Sequence, residues 1–258
     1  MAQPLWTYSP PRSAPAAMQR HYVQWRRACR AQVAPDRPVV SFTFDEFPKS
    51  ALIGADIIES HGGRGGFYAC TSMMGRRNPA VGEMFDAATL TELVGRGHEI
   101  GAHTHSRLDC ARTRVEKVER DIAANLVALT EAGHTETVSS FSFPFGETTY
   151  WAKRWVGELF ATGRGAGAGV NIGEVDRSQL RAIELGPTEM HRKRALAALK
   201  FCIDAKGWLF FFTRDVGRNP TKNGTTPALL DELTKTAVDG GAVLAAPTFG
   251  AVLSGVID

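Results

Sequence analysis

Residues 37–46 read RPVVSFTFDE, and this stretch decides the fold class of the chain. A β-branched and aromatic run, Val39 to Phe44, ends abruptly at two carboxylates, Asp45 and Glu46. Such a run is typical of a buried strand that delivers acidic side chains at its carboxyl end. Because strand-like and helix-like segments alternate after it, the sequence predicts an α/β protein with a parallel sheet or barrel and helices outside it.

The chain has 258 residues, of which 43% are hydrophobic, enough to form a full core without disulfides. About seven strand–helix units follow one another without a repeat or a linker, which favours one (β/α) barrel domain over residues 37–258. Residues 1–36 are rich in proline and arginine. We expect them to form an N-terminal extension that packs on the barrel, with a helix around Met18–Val33.

Charge and hydropathy exclude several classes of protein. A net charge of +3 is too small and too scattered to indicate a nucleic-acid partner. No apolar run approaches the roughly 20 residues that an integral membrane segment needs. The first residues lack the apolar stretch of a secretory signal, and the four cysteines lie far apart, as expected of reduced thiols. The sequence therefore predicts a cytoplasmic protein.

Polar side chains follow several of the predicted strands, at the end where α/β barrels hold their active sites. Carboxylates and imidazoles that converge from different strands are the ligands of a metal-assisted hydrolase. The candidates are Asp45, Glu46, His103, Thr104, His105, Ser142, Glu147, Arg164, Thr213, Arg214 and Asp215.

Most of these candidates lie in four sequence segments. The segments are SFTFDEFPKSA at 41–51, GHEIGAHTHSRLD at 97–109, FSFPFGE at 141–147, and the long stretch that starts with WLFFFTRDV at 208. In order and spacing they resemble the motifs of the polysaccharide deacetylase family (NodB-type, carbohydrate esterase family 4), from about residue 38 to 250. The resemblance implies a distorted, seven-stranded (β/α) barrel. The segments are most similar to cytoplasmic deacetylases of bacterial holdfast or other exopolysaccharide.

The family removes acetyl from N-acetylhexosamines with a divalent metal, often zinc, that an Asp and two His hold. The resemblance implies that Asp45 is the catalytic base, that His103 is a metal ligand and that the Phe145 backbone N–H stabilises the oxyanion. Glu46 stands at the family's metal-binding Asp and keeps a carboxylate. Arg107 stands at the second ligand His, although a guanidinium has no lone pair to donate. Arg214 stands at the acid His, although a guanidinium stays protonated at neutral pH and cannot serve as a general acid there.

These substitutions leave several alternatives open. Asp45 and Glu46 could pair with Arg107 and Arg214 in a cleft without metal, or both guanidiniums could point into solvent. A shifted loop could instead let Glu46, His103 and His105 hold zinc, because residues two apart on a strand point the same way. Arg164 could orient Asp45 by a charge-assisted hydrogen bond. We also expect Pro144, Trp208 and Asp215 to contact substrate. Trp208 and Phe249 could form a sugar-stacking floor, or they could belong to the core.

The interpretation is a family protein that recognises N-acetylated exopolysaccharide or its oligosaccharide precursor. Metal-dependent N-deacetylation would be impaired or lost through Glu46, Arg107 and Arg214. The alternative is an active N-deacetylase that uses metal held by Glu46, His103 and His105. A third possibility is a different hydrolase with Asp45 and fixed arginine cations. We expect zinc, if any metal, as cofactor and exopolysaccharide-synthesis proteins as possible partners.

Overall fold

The computed structural model describes residue 6 and residues 8–257. Its strands are β1 Arg30–Val33, β2 Val39–Asp45, β3 Gly66–Ala69, β4 Arg77–Asn78, β5 Gly82–Glu83, β6 Glu99–Ala102, β7 Ser140–Ser142, β8 Thr162–Arg164, β9 Gly173–Asp176, β10 Ala182–Glu184, β11 Trp208–Thr213 and β12 Val243–Leu244. Its helices are α1 Ala14–Trp25, α2 Leu52–Ser60, α3 Ala87–Gly95, α4 Val115–Glu131, α5 Tyr150–Leu159, α6 Glu189–Ala205, α7 Pro227–Asp239 and α8 Pro247–Leu253. None of these helices is both long and apolar enough for a bilayer crossing.

Seven parallel strands form a nearly closed, distorted barrel in the order β10-β11-β2-β3-β6-β7-β8, as predicted. The two outer strands almost meet. Leu180, just before β10, donates its N–H to the Gly163 carbonyl of β8 at 2.8 Å and accepts from Gly165 N at 3.0 Å. Short β12 pairs in parallel with the first residues of β2. All seven strands therefore direct their carboxyl ends to one rim of the barrel.

The predicted helices form where local sequence supports them. Asp86 caps α3 by accepting from Thr89 N at 2.9 Å, which satisfies a backbone donor that the first turn leaves free. On α4 the buried residues are Val118, Ile122, Asn125 and Leu129, the three- and four-residue spacing of one helical face. Phe44 and Phe67, whose ring centroids lie 4.6 Å apart, pack on the outer face of the sheet, where a Cβ at Gly54 of α2 would meet the Phe44 ring. A side-chain cap thus fixes the start of α3, and a buried stripe fixes the face that α4 turns to the sheet.

The N-terminal extension differs from its predicted form. The helix expected around Met18–Val33 is α1, Ala14–Trp25, and residues 30–33 form strand β1 instead. That strand pairs antiparallel with β9, so that Arg30 lies opposite Asp176. The cause is a partner about 140 residues away, which a local pattern does not reveal.

Buried polar groups connect the extension to the barrel. Lys153 of α5 is fully buried and donates to the Val23 carbonyl at 2.6 Å, while its Nζ lies 2.7 Å from the Asp176 carboxylate. Asp176 in turn accepts from the backbone N–H groups of Ala28 and Cys29 at 2.9 and 3.1 Å. Helix α1 is therefore held at its C-terminal end by a charged pair beneath it.

Candidate active site

Glu46 lies at the centre of the site, directly after β2, and is only 4% exposed. Arg107 Nε donates to its Oε1 at 2.5 Å, and Arg214 lies 2.7 Å from its Oε2. Burial alone would raise the pKa of Glu46, but attraction to Arg214 and Arg107 outweighs it, so the pKa lies well below its usual range. Of the alternatives, the ion-paired arrangement is the one present, and both guanidiniums turn inward to Glu46.

Asp45 is paired with a different cation. Arg164, at the end of β8 and 1% exposed, donates to the Asp45 carboxylate and to the Ser142 hydroxyl. Ser142 Oγ in turn lies 3.3 Å from Asp45 Oδ1. The Arg164 guanidinium also stacks over the Phe212 ring at 4.7 Å. Arg164 therefore orients the predicted base by a charge-assisted hydrogen bond.

His103 follows β6 and faces the same cleft. It is 1% exposed, and its Nε2 lies 3.5 Å from Glu46 Oε1. Among the described residues, neither of its ring nitrogens has a hydrogen-bond partner. Asn125 of α4 holds the loop that carries His103, since its Nδ2 donates to the Thr104 carbonyl at 2.8 Å.

His105 is directed to a different part of this loop. Its Nδ1 lies 2.9 Å from the Thr71 hydroxyl, and its carbonyl accepts from Ser72 N at 3.0 Å. It does not line the cleft that His103 and Glu46 share. The structure brings together Glu46 and His103 of the alternative metal site, but not His105.

Positive φ angles concentrate around this cleft. Glu46, Thr104, Arg107 and Phe145 have φ values of 49°, 58°, 55° and 62°, a region that is costly for residues other than glycine. Three of the four belong to the cleft lining. Strained backbone at loops that carry functional side chains is typical of an active site or a ligand-binding site.

Phe145 lies in the short turn Pro144–Gly146 that follows β7. Gly146, at φ 69°, is required there because a Cβ would lie 2.2 Å from the Cβ of Ala166. The Phe145 ring stacks against the Arg107 guanidinium at 4.4 Å, and the ring of Tyr8 meets its edge at 5.3 Å. The turn thus places the predicted oxyanion donor beside the ion-paired centre.

The cleft has a volume of about 600 Å³ and includes residues that sequence reasoning missed. The extension contributes one wall, where Tyr8 donates from its hydroxyl to Asp109 at 2.5 Å. No motif in residues 1–36 indicated that the extension would line the cleft. Glu184 ends strand β10, so the strand-end rule could have found it. The further lining residues missed are Trp6, Ser9, Pro10, Arg12, Gly146, Ala166, His191, Phe212, Lys222 and Asn223.

The three residues expected to contact substrate lie outside the cleft lining. Trp208 begins β11 at the opposite end of the barrel, is 0% exposed and donates from Nε1 to Ser41 Oγ at 3.0 Å. The sugar-stacking prediction for it was wrong because its ring fills the core. Asp215 accepts from Thr221 N at 2.8 Å and from its hydroxyl at 2.6 Å, which closes the loop after Arg214. Pro144 is buried in its turn.

A family model matches the part of the chain that carries most of these residues. Residues 32–158 match the model of the family described as polysaccharide deacetylase. This match spans just under half of the chain. The matched segment holds the loops that carry Asp45, Glu46, His103, Arg107 and Phe145. No curated protein gives a significant match.

Solved structures share the fold over most of the chain. A family 4 acetyl xylan esterase from Clostridium thermocellum, in complex with a cobalt ion, is 23% identical with a TM-score of 0.58 and covers 83% of this chain and 91% of its own. A polysaccharide deacetylase homologue from Mycobacterium smegmatis is 14% identical with a TM-score of 0.60 and covers 86% and 95%. A pseudoenzyme of the same family from Bacillus anthracis is 10% identical with a TM-score of 0.57 and covers 84% and 66%. At these identities the likeness shows a common fold.

The resemblance to polysaccharide deacetylases implies a divalent metal, and the side chains at this site do not fit one. Each Glu46 carboxylate oxygen forms an ion pair with a guanidinium group, and Asp45 forms one with Arg164. Among the described residues, no three His, Cys, Asp or Glu side chains form a group that could hold a metal. Two unit charges 4 Å apart interact by about 4 kcal/mol at an effective dielectric of 20, so a dication beside either arginine would be repelled by about twice that. Guanidinium groups thus occupy the coordination sphere that a metal would need.

Proposed function

We propose that the chain is a polysaccharide deacetylase homologue that binds N-acetylated exopolysaccharide, or its oligosaccharide precursor, and has lost metal-dependent N-deacetylation. The observation that carries the proposal is the Glu46 carboxylate held between Arg107 at 2.5 Å and Arg214 at 2.7 Å. These cations satisfy the carboxylate that would otherwise attract a metal. Arg107 cannot act as a second imidazole ligand, and Arg214 cannot act as a general acid.

The binding part of the proposal is supported by the shape and lining of the cleft. Its volume of about 600 Å³ lies within the range of small-molecule sites. Trp6, Tyr8, Phe145 and Phe212 supply aromatic rings of the kind that pack against sugar faces. Asp45 stays oriented by Arg164, so a polar group of the ligand still meets a fixed carboxylate.

Four cysteines that form no disulfide support a reducing compartment, and we include a cytoplasmic location in the proposal. A protein that binds an exopolysaccharide precursor there would act beside the enzymes that assemble it. Exopolysaccharide-synthesis proteins are therefore the partners that we propose.

The test measures metal, acetate and binding on the same preparation. We expect purified protein, equilibrated with zinc and desalted, to retain far less than one zinc per chain. With N,N′,N″,N‴-tetraacetylchitotetraose we expect no acetate above the uncatalysed rate, but saturable binding in calorimetry. One bound zinc together with acetate release would overturn the proposal and favour the active deacetylase.

A pair of variants separates cleft binding from surface adsorption. Phe145→Ala removes a ring inside the cleft, whereas Phe249→Ala removes an exposed ring on α8, outside it. We expect Phe145→Ala to weaken tetrasaccharide binding at least fivefold and Phe249→Ala to leave it unchanged. Equal effects of the two variants would contradict binding in this cleft.

A further inference from the structure

The floor of the cleft has more buried hydrogen-bond donors than acceptors to receive them. Nε of Arg164 and Nε of Arg214 are buried N–H donors without a hydrogen-bond partner among the described residues, and Nδ1 of His103 has none there either. Each of these three side chains lines the cleft. A buried donor without a partner is costly, so the site favours a ligand that brings acceptor oxygens.

The local charge points the same way. Among the lining residues that the structure describes, five side chains are permanently cationic and four are carboxylates. Glu46 is shared by two arginines, Asp45 is paired with Arg164, and Glu147 is paired with Arg20 and Arg112 from outside the lining. Glu184 is the remaining carboxylate of the lining. Even with Glu184 counted, the cleft therefore keeps a positive balance.

Two of the cations at the cleft are available to a ligand. Lys222 and Arg12 line it, are exposed, and form no ion pair within the part of the chain that the structure describes. Lys222 comes from the loop after β11 and Arg12 from the N-terminal extension, so they approach the cleft from two separate segments. Neither has a role in holding the loops of the site.

We propose that the cleft binds a saccharide that carries an oxyanion, a hexuronate carboxylate or a sugar phosphate, seated against His103, Arg164 and Arg214 with Lys222 and Arg12 around it. This inference rests on the proposed function, because it assumes that the cleft holds a sugar. Guanidinium groups suit carboxylate and phosphate oxygens alike, since their N–H groups match two oxygens at once. A neutral sugar would supply no negative charge to the unpaired N–H donors and the excess positive charge of the cleft.

The test compares ligands of equal length and different charge by calorimetry. Tetragalacturonate is the carboxylate probe, tetraacetylchitotetraose the neutral probe, and glucose 6-phosphate against glucose the phosphate arm. We expect tetragalacturonate to bind at least tenfold more tightly than the neutral tetrasaccharide in 50 mM salt. We expect that advantage to shrink in 500 mM salt, because salt screens exposed charges. The phosphate arm shows whether phosphate serves as well as carboxylate.

Charge variants locate the effect. Lys222→Gln and Arg12→Gln should each weaken tetragalacturonate binding about three- to tenfold and leave neutral binding within twofold. The matched control is Lys200→Gln, which removes the same charge from an exposed helix position outside the cleft. Both cleft positions are exposed, so we expect all three variants to melt close to the unmodified protein. Equal losses in the control and the cleft variants would overturn the proposal.

The outcomes also separate this inference from the proposed function. Binding of the neutral tetrasaccharide with no gain from charge would leave the proposed function standing and overturn the inference. Tight binding of the charged probe alone would support the inference and contradict the N-acetylated ligand. If neither probe binds, both are wrong.

Discussion

At the scale of single residues, Glu46 shows how substituted neighbours change the chemistry of a shared site. The resemblance to polysaccharide deacetylases assigns its carboxylate to a metal-binding position, but two guanidiniums are its partners. A buried carboxylate between two cations stabilises the fold only while all three charges are present. If one is removed, the others stay buried away from water without an opposite charge. The group is therefore a structural element as well as an obstacle to metal.

Neutralising this carboxylate should destabilise the protein. Glu46→Gln leaves the Arg107 and Arg214 charges without their anion, and we expect a loss of about 3 kcal/mol in the free energy of unfolding, measured with urea. The control is Glu232→Gln, whose carboxylate pairs with Arg192 on the surface. Solvent screens that pair, so its removal should cost much less. Equal losses in both variants would contradict the structural role of Glu46.

The same carboxylate should make stability depend on acid pH. The pKa of Glu46 is lowered in the folded state, whereas in the unfolded chain it returns to about 4.3. Below that pH the unfolded state binds a proton that the folded state does not, so stability falls as pH falls. We expect the free energy of unfolding to fall more steeply between pH 5 and about 3 in the unmodified protein than in Glu46→Gln. Parallel curves would contradict a lowered pKa.

Residue identity predicted much of this site but not its geometry. The sequence indicated that Arg107 and Arg214 could pair with carboxylates and that Arg164 could orient Asp45. It could not decide whether the guanidiniums turn inward, and it gave no sign of the left-handed backbone that the structure has at Glu46 and Arg107. Neither residue type is typical of that conformation.

At the scale of elements, local signals predicted helices well and distant pairing poorly. The expected helix over 114–132 is α4, Val115–Glu131, because its buried stripe is encoded locally. Strand β1 was missed because its hydrogen-bond partner is β9, far along the chain. Tyr8 and its partner Asp109 are also far apart in the chain, so the sequence alone did not predict that Tyr8 lines the cleft.

The buried Lys153 should control how firmly helix α1 is held. Lys153→Met removes the donor to the Val23 carbonyl and leaves Asp176 without its cation, so we expect a loss of about 3 kcal/mol in the free energy of unfolding. Trypsin should also cleave after Arg26 or Arg27 faster than in the unmodified protein. Lys200→Met, at an exposed position, is the control and should change neither. Unchanged cleavage together with unchanged stability would show that this pair does not hold α1.

At the scale of the whole molecule, the barrel brings loops from distant segments to one rim. Glu46, His103 and Arg214 follow β2, β6 and β11, and the nearly closed order of the strands makes their side chains converge. The repeated strand–helix pattern sufficed to predict this architecture. The fold thus brings positions 46, 103 and 214 together at one rim.

If only side-chain identity prevents metal binding, restoring the family pattern on this barrel should restore it. We expect the triple variant Glu46→Asp, Arg107→His, Arg214→His to bind about one zinc per chain, because two imidazoles and one carboxylate then meet at the rim. Metal content after desalting measures this. Adding His103→Ala removes one ligand and should abolish retention. A folded triple variant that retains no zinc would show that the backbone of these loops, and not only their side chains, has diverged from a metal site.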